Sequence, residues 1–105
     1  MSAVGVSKQE KKIEDMASVV EEMQPGLTHL SIKGAFRFAI QEALKEQGFA
    51  EWRDLAGQPA AARKRFFGTL CGHAIPRVVK LGFPQSKAKE LDARLQEMNQ
   101  RYLQD

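Results

Sequence analysis

Cys71 and His73 come nearest, in this 105-residue chain, to a nucleophile with its base or a pair of metal ligands. Their spacing argues against both. Residues two apart on a helix point to opposite sides. No second cysteine exists, and His29, the other histidine, lies far up the chain. A structural zinc site needs four ligands at regular spacings. There is no phosphate-cradling glycine loop and no nucleophile with an evident base. The expectation is a non-enzyme with no metal and no cofactor, in which both residues are structural.

Charge is the more informative chemistry. From Leu55 to Lys89 there is no Asp or Glu, while Arg63, Lys64, Arg65, Arg77, Lys80, Lys87 and Lys89 supply seven cations. Residues 1–54 hold seven cations against nine acids. Such asymmetry points to a surface that meets something negative, either nucleic acid or an acidic protein face. Arg63, Lys64, Arg77 and Lys80 are the candidate phosphate contacts. Arg63, Lys64 and Arg65 point three ways around a helix, so they do not form one compact clamp. Lys87, Arg94 and Arg101 recur every seven residues beside an apolar seam, as wet cationic heads on stems that flank packing.

Length and composition set the frame for these side chains. The chain is 43% hydrophobic and 28% charged with a formal net charge of +3. That fits one globular domain with a single modest core. The lone Cys71 excludes an internal disulfide and suits a reducing compartment. Residues 1–12 carry no apolar core of signal-peptide length, and no apolar run approaches a membrane span. A cytoplasmic protein is expected.

The elements that must position the charges read as all-α, a compact bundle of about five helices. Ser7 and Glu10 have capping-box spacing, and Ile13, Met16, Val20 and Met23 follow on one stripe until Pro25 and Gly26 stop the helix. The second helix starts with Ser31 as its cap, buries Ile32, Phe36, Ala39, Ile40, Ala43 and Leu44, and closes at a left-handed Gly48. Phe38 falls on its far side. A short element brings Phe49, Trp52 and Leu55 inward and stops at Gly57. Pro59 opens a helix that buries Ala62, Phe66, Phe67 and Leu70 and ends near His73. A short helix, Ile75 to Leu81, and a long one, Ser86 to about Leu103, are separated by Gly82.

The string from Val78 to Ala88 resembles a helix-turn-helix, with candidate limits of 75–95. The motif needs a tight turn, supplied by Gly82, and apolar residues that lock two helices together, here Leu81, Phe83, Ala88 and Leu91. The second helix then presents Gln85, Ser86, Lys87 and Lys89 at its start, where such helices touch base edges. Val78 and Pro84 depart from the usual pattern. The amphipathic stripes Ile13, Met16, Val20, Met23 and Leu91, Leu95, Met98, Tyr102 cover the core or form a partner or dimer interface, helped by adaptable methionines.

Two functions follow. The first is a small regulator that binds nucleic acid, DNA before RNA, through the basic acid-free surface, with a two-fold pair matching a dyad-symmetric site. The alternative is an inhibitor or adaptor, antiactivator-like, that docks amphipathic helices on a larger regulatory protein.

Overall fold

The computed structural model describes residues 8–104, and side chains as far as Arg101. Four α-helices carry the fold: α1 (Lys8–Met23), α2 (His29–Gln47), α3 (Ala60–Lys80) and α4 (Ala88–Gln104). Two 3₁₀ segments, Trp52–Gly57 and Gln85–Lys87, lead from α2 towards α3 and into α4. There is no strand among the described residues. Ser7, the expected cap of α1, lies outside the described residues.

The apolar periodicity determines how these helices pack. Ile13, Met16, Ala17 and Val20 repeat at three and four residues on α1, and all four are fully buried. On α2 the same pattern buries Ile32, Phe36, Ala39, Ile40 and Ala43. Leu91 and Leu95 close the core from α4. Four phenylalanines, Phe36, Phe66, Phe67 and Phe83, are essentially removed from water, each contributing on the order of 2 kcal/mol.

Three helix starts differ from expectation: α4 begins at Ala88, after the Gln85–Lys87 turn, and not at Ser86. α2 begins at His29, with Thr28 rather than Ser31 at its N-cap. Pro59 is the N-cap of α3 and not a first-turn residue. The C-terminus of α2 is as expected, with Gly48 left-handed at φ 80°. Gly48 and Phe49 donate back to the carbonyls of Lys45 and Leu44, a Schellman closure.

The larger correction concerns α3. Two helices were expected, one ending near His73 and another from Ile75 to Leu81, but one helix of 21 residues runs through Pro76. Proline lacks the N–H that would reach the Gly72 carbonyl, and its ring crowds that carbonyl. The buried stripe Phe67, Leu70, Cys71, Ala74 and Val78 crosses this point without a break. Packing on both sides therefore holds the helix together through an exposed proline. Its true end is again a Schellman closure: Gly82 and Phe83 donate to the carbonyls of Val79 and Val78. Gly82 has φ 121°, and a Cβ there would stand 3.1 Å from Leu27 Cδ2, so this turn demands glycine.

Between α2 and α3 the chain is pinned by aromatic rings. Trp52 meets Phe66 edge-on at 5.8 Å between centroids and Phe67 at 6.1 Å. The Asp54 carboxylate accepts the backbone N–H groups of Ala50 and Glu51, fixing the start of the 3₁₀ turn. A ladder of charge couples α1 to α2: Arg37 with Glu10, Lys33 with Glu14 at 2.8 Å, and His29 with both Glu14 and Glu21.

Candidate nucleic-acid interface

The acid-free segment does not fold into one surface. Arg63 and Lys80 sit at opposite ends of α3, about 25 Å apart along its axis. Arg63 lines a hollow shared with α1 and the Trp52–Gly57 turn. Lys64 faces the other way, into a small recess beside Gln96 and Asn99 of α4. The guanidinium of Arg77 stacks on the Phe38 ring of α2, 3.8 Å from its centroid. Lys80 is exposed at the end of the helix. Four expected phosphate contacts thus lie in four surroundings.

The expected base-reading end of α4 is also altered. Gln85, Ser86 and Lys89 are exposed, but Lys87 is committed inward, donating to the Met23 carbonyl oxygen at 3.2 Å. Leu81, expected as a lock between helices, is 40% exposed. The exposed residues of α4 run from Lys89 through Glu90, Ala93, Glu97 and Gln100 to Arg101, so its outward side mixes carboxylates with cations. The residue pattern of a helix-turn-helix is present in part, and α4 balances Lys89, Arg94 and Arg101 against Glu90, Asp92 and Glu97.

Charge does converge elsewhere. α1 starts with Lys8, Lys11 and Lys12, spaced by three and one so that they share one side of the first turns. The aromatic pinning of the Trp52–Gly57 turn swings Arg53 against them, and Arg63 projects from the first turn of α3. These five cations line one open hollow of about 1060 Å³, whose lining acids among the described residues are Asp15 and Glu51. Leu44, Trp52 and Leu55 supply its apolar floor. Asp15 lies 3.8 Å from the Lys11 ammonium, and Glu51 pairs with Arg53 at 2.8 Å. Lys12 is only 4% exposed, its ammonium 5.3 Å from the centroid of the Phe67 ring, a cation–π contact that partly offsets the loss of water. Asp54 is spent on the backbone and does not face the hollow.

Sequence reasoning reached one of these five residues, Arg63. It missed Lys8, Lys11, Lys12 and Arg53 because they lie in the half of the chain where acids outnumber cations. The helical spacing of Lys8, Lys11 and Lys12 was the signal that would have found three of them.

The expected partner seams are core. Ile13, Met16, Val20, Leu91 and Leu95 are fully buried within this chain, and Met23 and Met98 pack partly buried against them. Neither stripe is a surface on which a second protein docks while this fold is kept. The Tyr102 side chain lies outside the described residues. Cys71 is also fully buried, and burial pushes its thiol up to about 12, with the Asp92 charge adding and Lys12 opposing. It is neutral at physiological pH and lacks thiolate reactivity. His73 is engaged by Glu46 across the α2–α3 contact. Among the described residues no group of three His, Cys, Asp or Glu side chains converges as a metal site, and no helix is long and apolar enough to cross a membrane.

No protein-family model, curated protein or solved structure matches this chain.

Proposed function

We propose that this chain is a small non-enzymatic regulator that binds nucleic acid, holding the phosphate backbone of a single strand in the hollow between α1, the Trp52–Gly57 turn and α3. One observation carries the reading: Lys8, Lys11, Arg53 and Arg63, with the buried Lys12 behind them, come from three separate elements to line a single concavity that holds two acids among the described residues. Each phosphate contact releases counterions and adds a sequence-independent increment of affinity. A strand fits better than a duplex for two reasons. The cations rim a concavity and not a flat face, which suits a flexible strand that can bend into it more than a rigid duplex. The one helix that would enter a major groove, α4, sets Glu90 and Glu97 beside Lys89 and Arg101 and so offers no net positive face. The reading needs no dimer, and it belongs in the reducing, nucleic-acid-bearing cytoplasm that the lone buried Cys71 suits.

The test reverses three exposed lining cations together, Lys8→Glu, Lys11→Glu and Arg53→Glu. Helical dichroism should be unchanged, and affinity for a random single-stranded oligonucleotide should collapse. For the wild type, log affinity should fall against log salt with a slope of about 0.7 per phosphate on a single strand, against about 0.9 on duplex DNA. Arg77→Glu with Lys80→Glu serves as the control and should retain binding. A wild-type protein that binds neither strand nor duplex at low salt is not a nucleic-acid binder. Loss in the control alone would return the contact to the C-terminal end of α3.

A further inference from the structure

Among the described residues three large apolar side chains remain exposed: Leu30 at 72%, Phe38 at 39% and Leu81 at 40%. They share a surface. Leu30, Gly34 and Phe38 follow one another at steps of four along α2, so they form one stripe. A Cβ at Gly34 would meet nothing within 4 Å, which leaves an open notch between the two larger side chains. α3 borders this stripe. Arg77 covers the Phe38 ring, and Leu81 stands one turn beyond Arg77 on the same side of α3. The close approach of Gly82 to Leu27 holds that end of α3 beside the start of α2. The result is a shallow apolar strip, Leu30, Gly34 and Phe38, with Leu81 and the aliphatic stem of Arg77 as its second wall.

Its frame is positive. Thr28 to Gln41 contains no acid, and neither does Leu55 to Lys89, so both walls belong to acid-free stretches. Lys33 and Arg37 of α2 are already held by Glu14 and Glu10 of α1. Arg77 and Lys80, at the α3 wall, have no acidic partner among the described residues. A second copy of the chain meeting this strip about a dyad would bring those cations against their own counterparts. Nucleic acid would satisfy the cations and leave the leucines in water. An occupant that buries the strip and neutralises its frame must be apolar along one row and acidic beside it.

We infer that the strip formed by Leu30, Gly34, Phe38 and Leu81 docks an acidic amphipathic helix of a partner protein, its apolar row seated over Gly34 and its carboxylates facing Arg77 and Lys80. The row i, i+3 or i+4, i+7 of such a helix matches a shallow strip of this kind. Charge complementarity speeds the encounter and selects acidic helices over basic ones. This surface is separate from the basic hollow and does not depend on it.

The experiment pans a displayed library of helical peptides, unbiased in charge, against the wild-type protein, with counter-selection on Leu30→Glu and Leu81→Glu. Both substitutions change exposed side chains, so dichroism and melting should be kept. Enriched sequences should carry a leucine-rich row flanked by Asp and Glu, and should bind at least about tenfold more weakly to either variant, a loss of about 1.4 kcal/mol. Arg77→Glu with Lys80→Glu should turn the preference towards basic helices. Affinity for single-stranded oligonucleotide should be the same in all these variants. Three results would overturn the inference: no enrichment, enrichment of basic or neutral helices by the wild type, or a concentration-dependent dimer that Leu30→Glu abolishes. Loss of oligonucleotide binding in Leu30→Glu would instead assign the strip to nucleic acid.

Discussion

The ammonium of Lys87 donates to the main-chain carbonyl oxygen of Met23 at 3.2 Å, tying the approach to α4 to the last residue of α1 across 64 positions of sequence. The last carbonyls of a helix have no intrahelical partner and carry its negative dipole end. α1 has no basic residue in its own last turn, so a cation from elsewhere in the chain takes that place. Arg94, two turns beyond Lys87, pairs with Glu22, the residue before Met23. A residue expected to read bases is therefore part of the cement between the first and last helices.

Lys87→Met keeps most of the stem and removes the charge and the donor. Stability should fall by about 1 kcal/mol, lowering the melting temperature by about 4–8 °C for a domain of this size. Urea unfolding measures the first quantity and calorimetry the second. Oligonucleotide affinity should not change. A variant of wild-type stability would show that the contact adds nothing to the fold.

His29 makes stability depend on pH. Its Nδ1 donates to Glu21 and its Nε2 to Glu14 at 3.0 Å, an arrangement that needs the doubly protonated ring. The Glu21 hydrogen bond first, and then that of Glu14, raise the imidazole above its ordinary value. Its contribution is thus fully present below the unfolded value of about 6.5 and is lost as pH rises through the folded one. Glu14 works in the opposite sense. Hydrogen bonds from Lys33 and then from His29 hold it below the usual carboxylate range, so its share is present at neutral pH and lost as pH falls through its lowered value. The urea midpoint should drop as pH rises above the unfolded value of about 6.5, and His29→Gln should flatten that decline. An equally steep decline in the variant would place the proton elsewhere.

Much of the fold was legible because local and tertiary preferences agree. The spacing of Ile13, Met16 and Val20 marks a buried stripe in any reading, and Gly48 after Lys45 is a stop whose left-handed φ follows from the missing Cβ. Legibility failed where tertiary packing overrides a local signal. Gly72 and Pro76 read as a break, yet Cys71, Ala74 and Val78 are buried on one continuous side of α3. The basic hollow was hidden for a different reason. Counting charge along the chain cannot show that Lys8 of α1 and Arg63 of α3 line the same concavity, with the turn that the Trp52–Phe66–Phe67 ring cluster pins to α3 supplying Arg53 to it. The same counting overstated the acid-free segment, because a single helix points its cations around its whole circumference.

Asn99 offers a gain in stability. It is 2% exposed, and neither the nitrogen nor the oxygen of its amide makes a hydrogen bond among the described residues. A buried amide left unpaired costs on the order of 1–3 kcal/mol, and a leucine of similar size carries no such cost. Asn99→Leu should raise unfolding free energy by about 1 kcal/mol in urea, with oligonucleotide affinity intact. Destabilisation by a similar amount would mean that the amide is satisfied in solution.

Pro76 is exposed and interior to α3, so its cost is not offset by any burial of its own ring. Replacement by alanine restores an N–H that reaches the Gly72 carbonyl and removes the clash of the ring with that turn. Interior proline is worse than alanine by about 3 kcal/mol in a free helix. Pro76→Ala should therefore stabilise the protein by about 1–3 kcal/mol and slow amide exchange in the turns from Gly72 to Lys80. The substitution leaves the basic hollow untouched, so oligonucleotide binding should be unchanged. Destabilisation would show that the proline shapes the last turns of α3, placing Val78 and Phe83 in the core more favourably than a regular helix does.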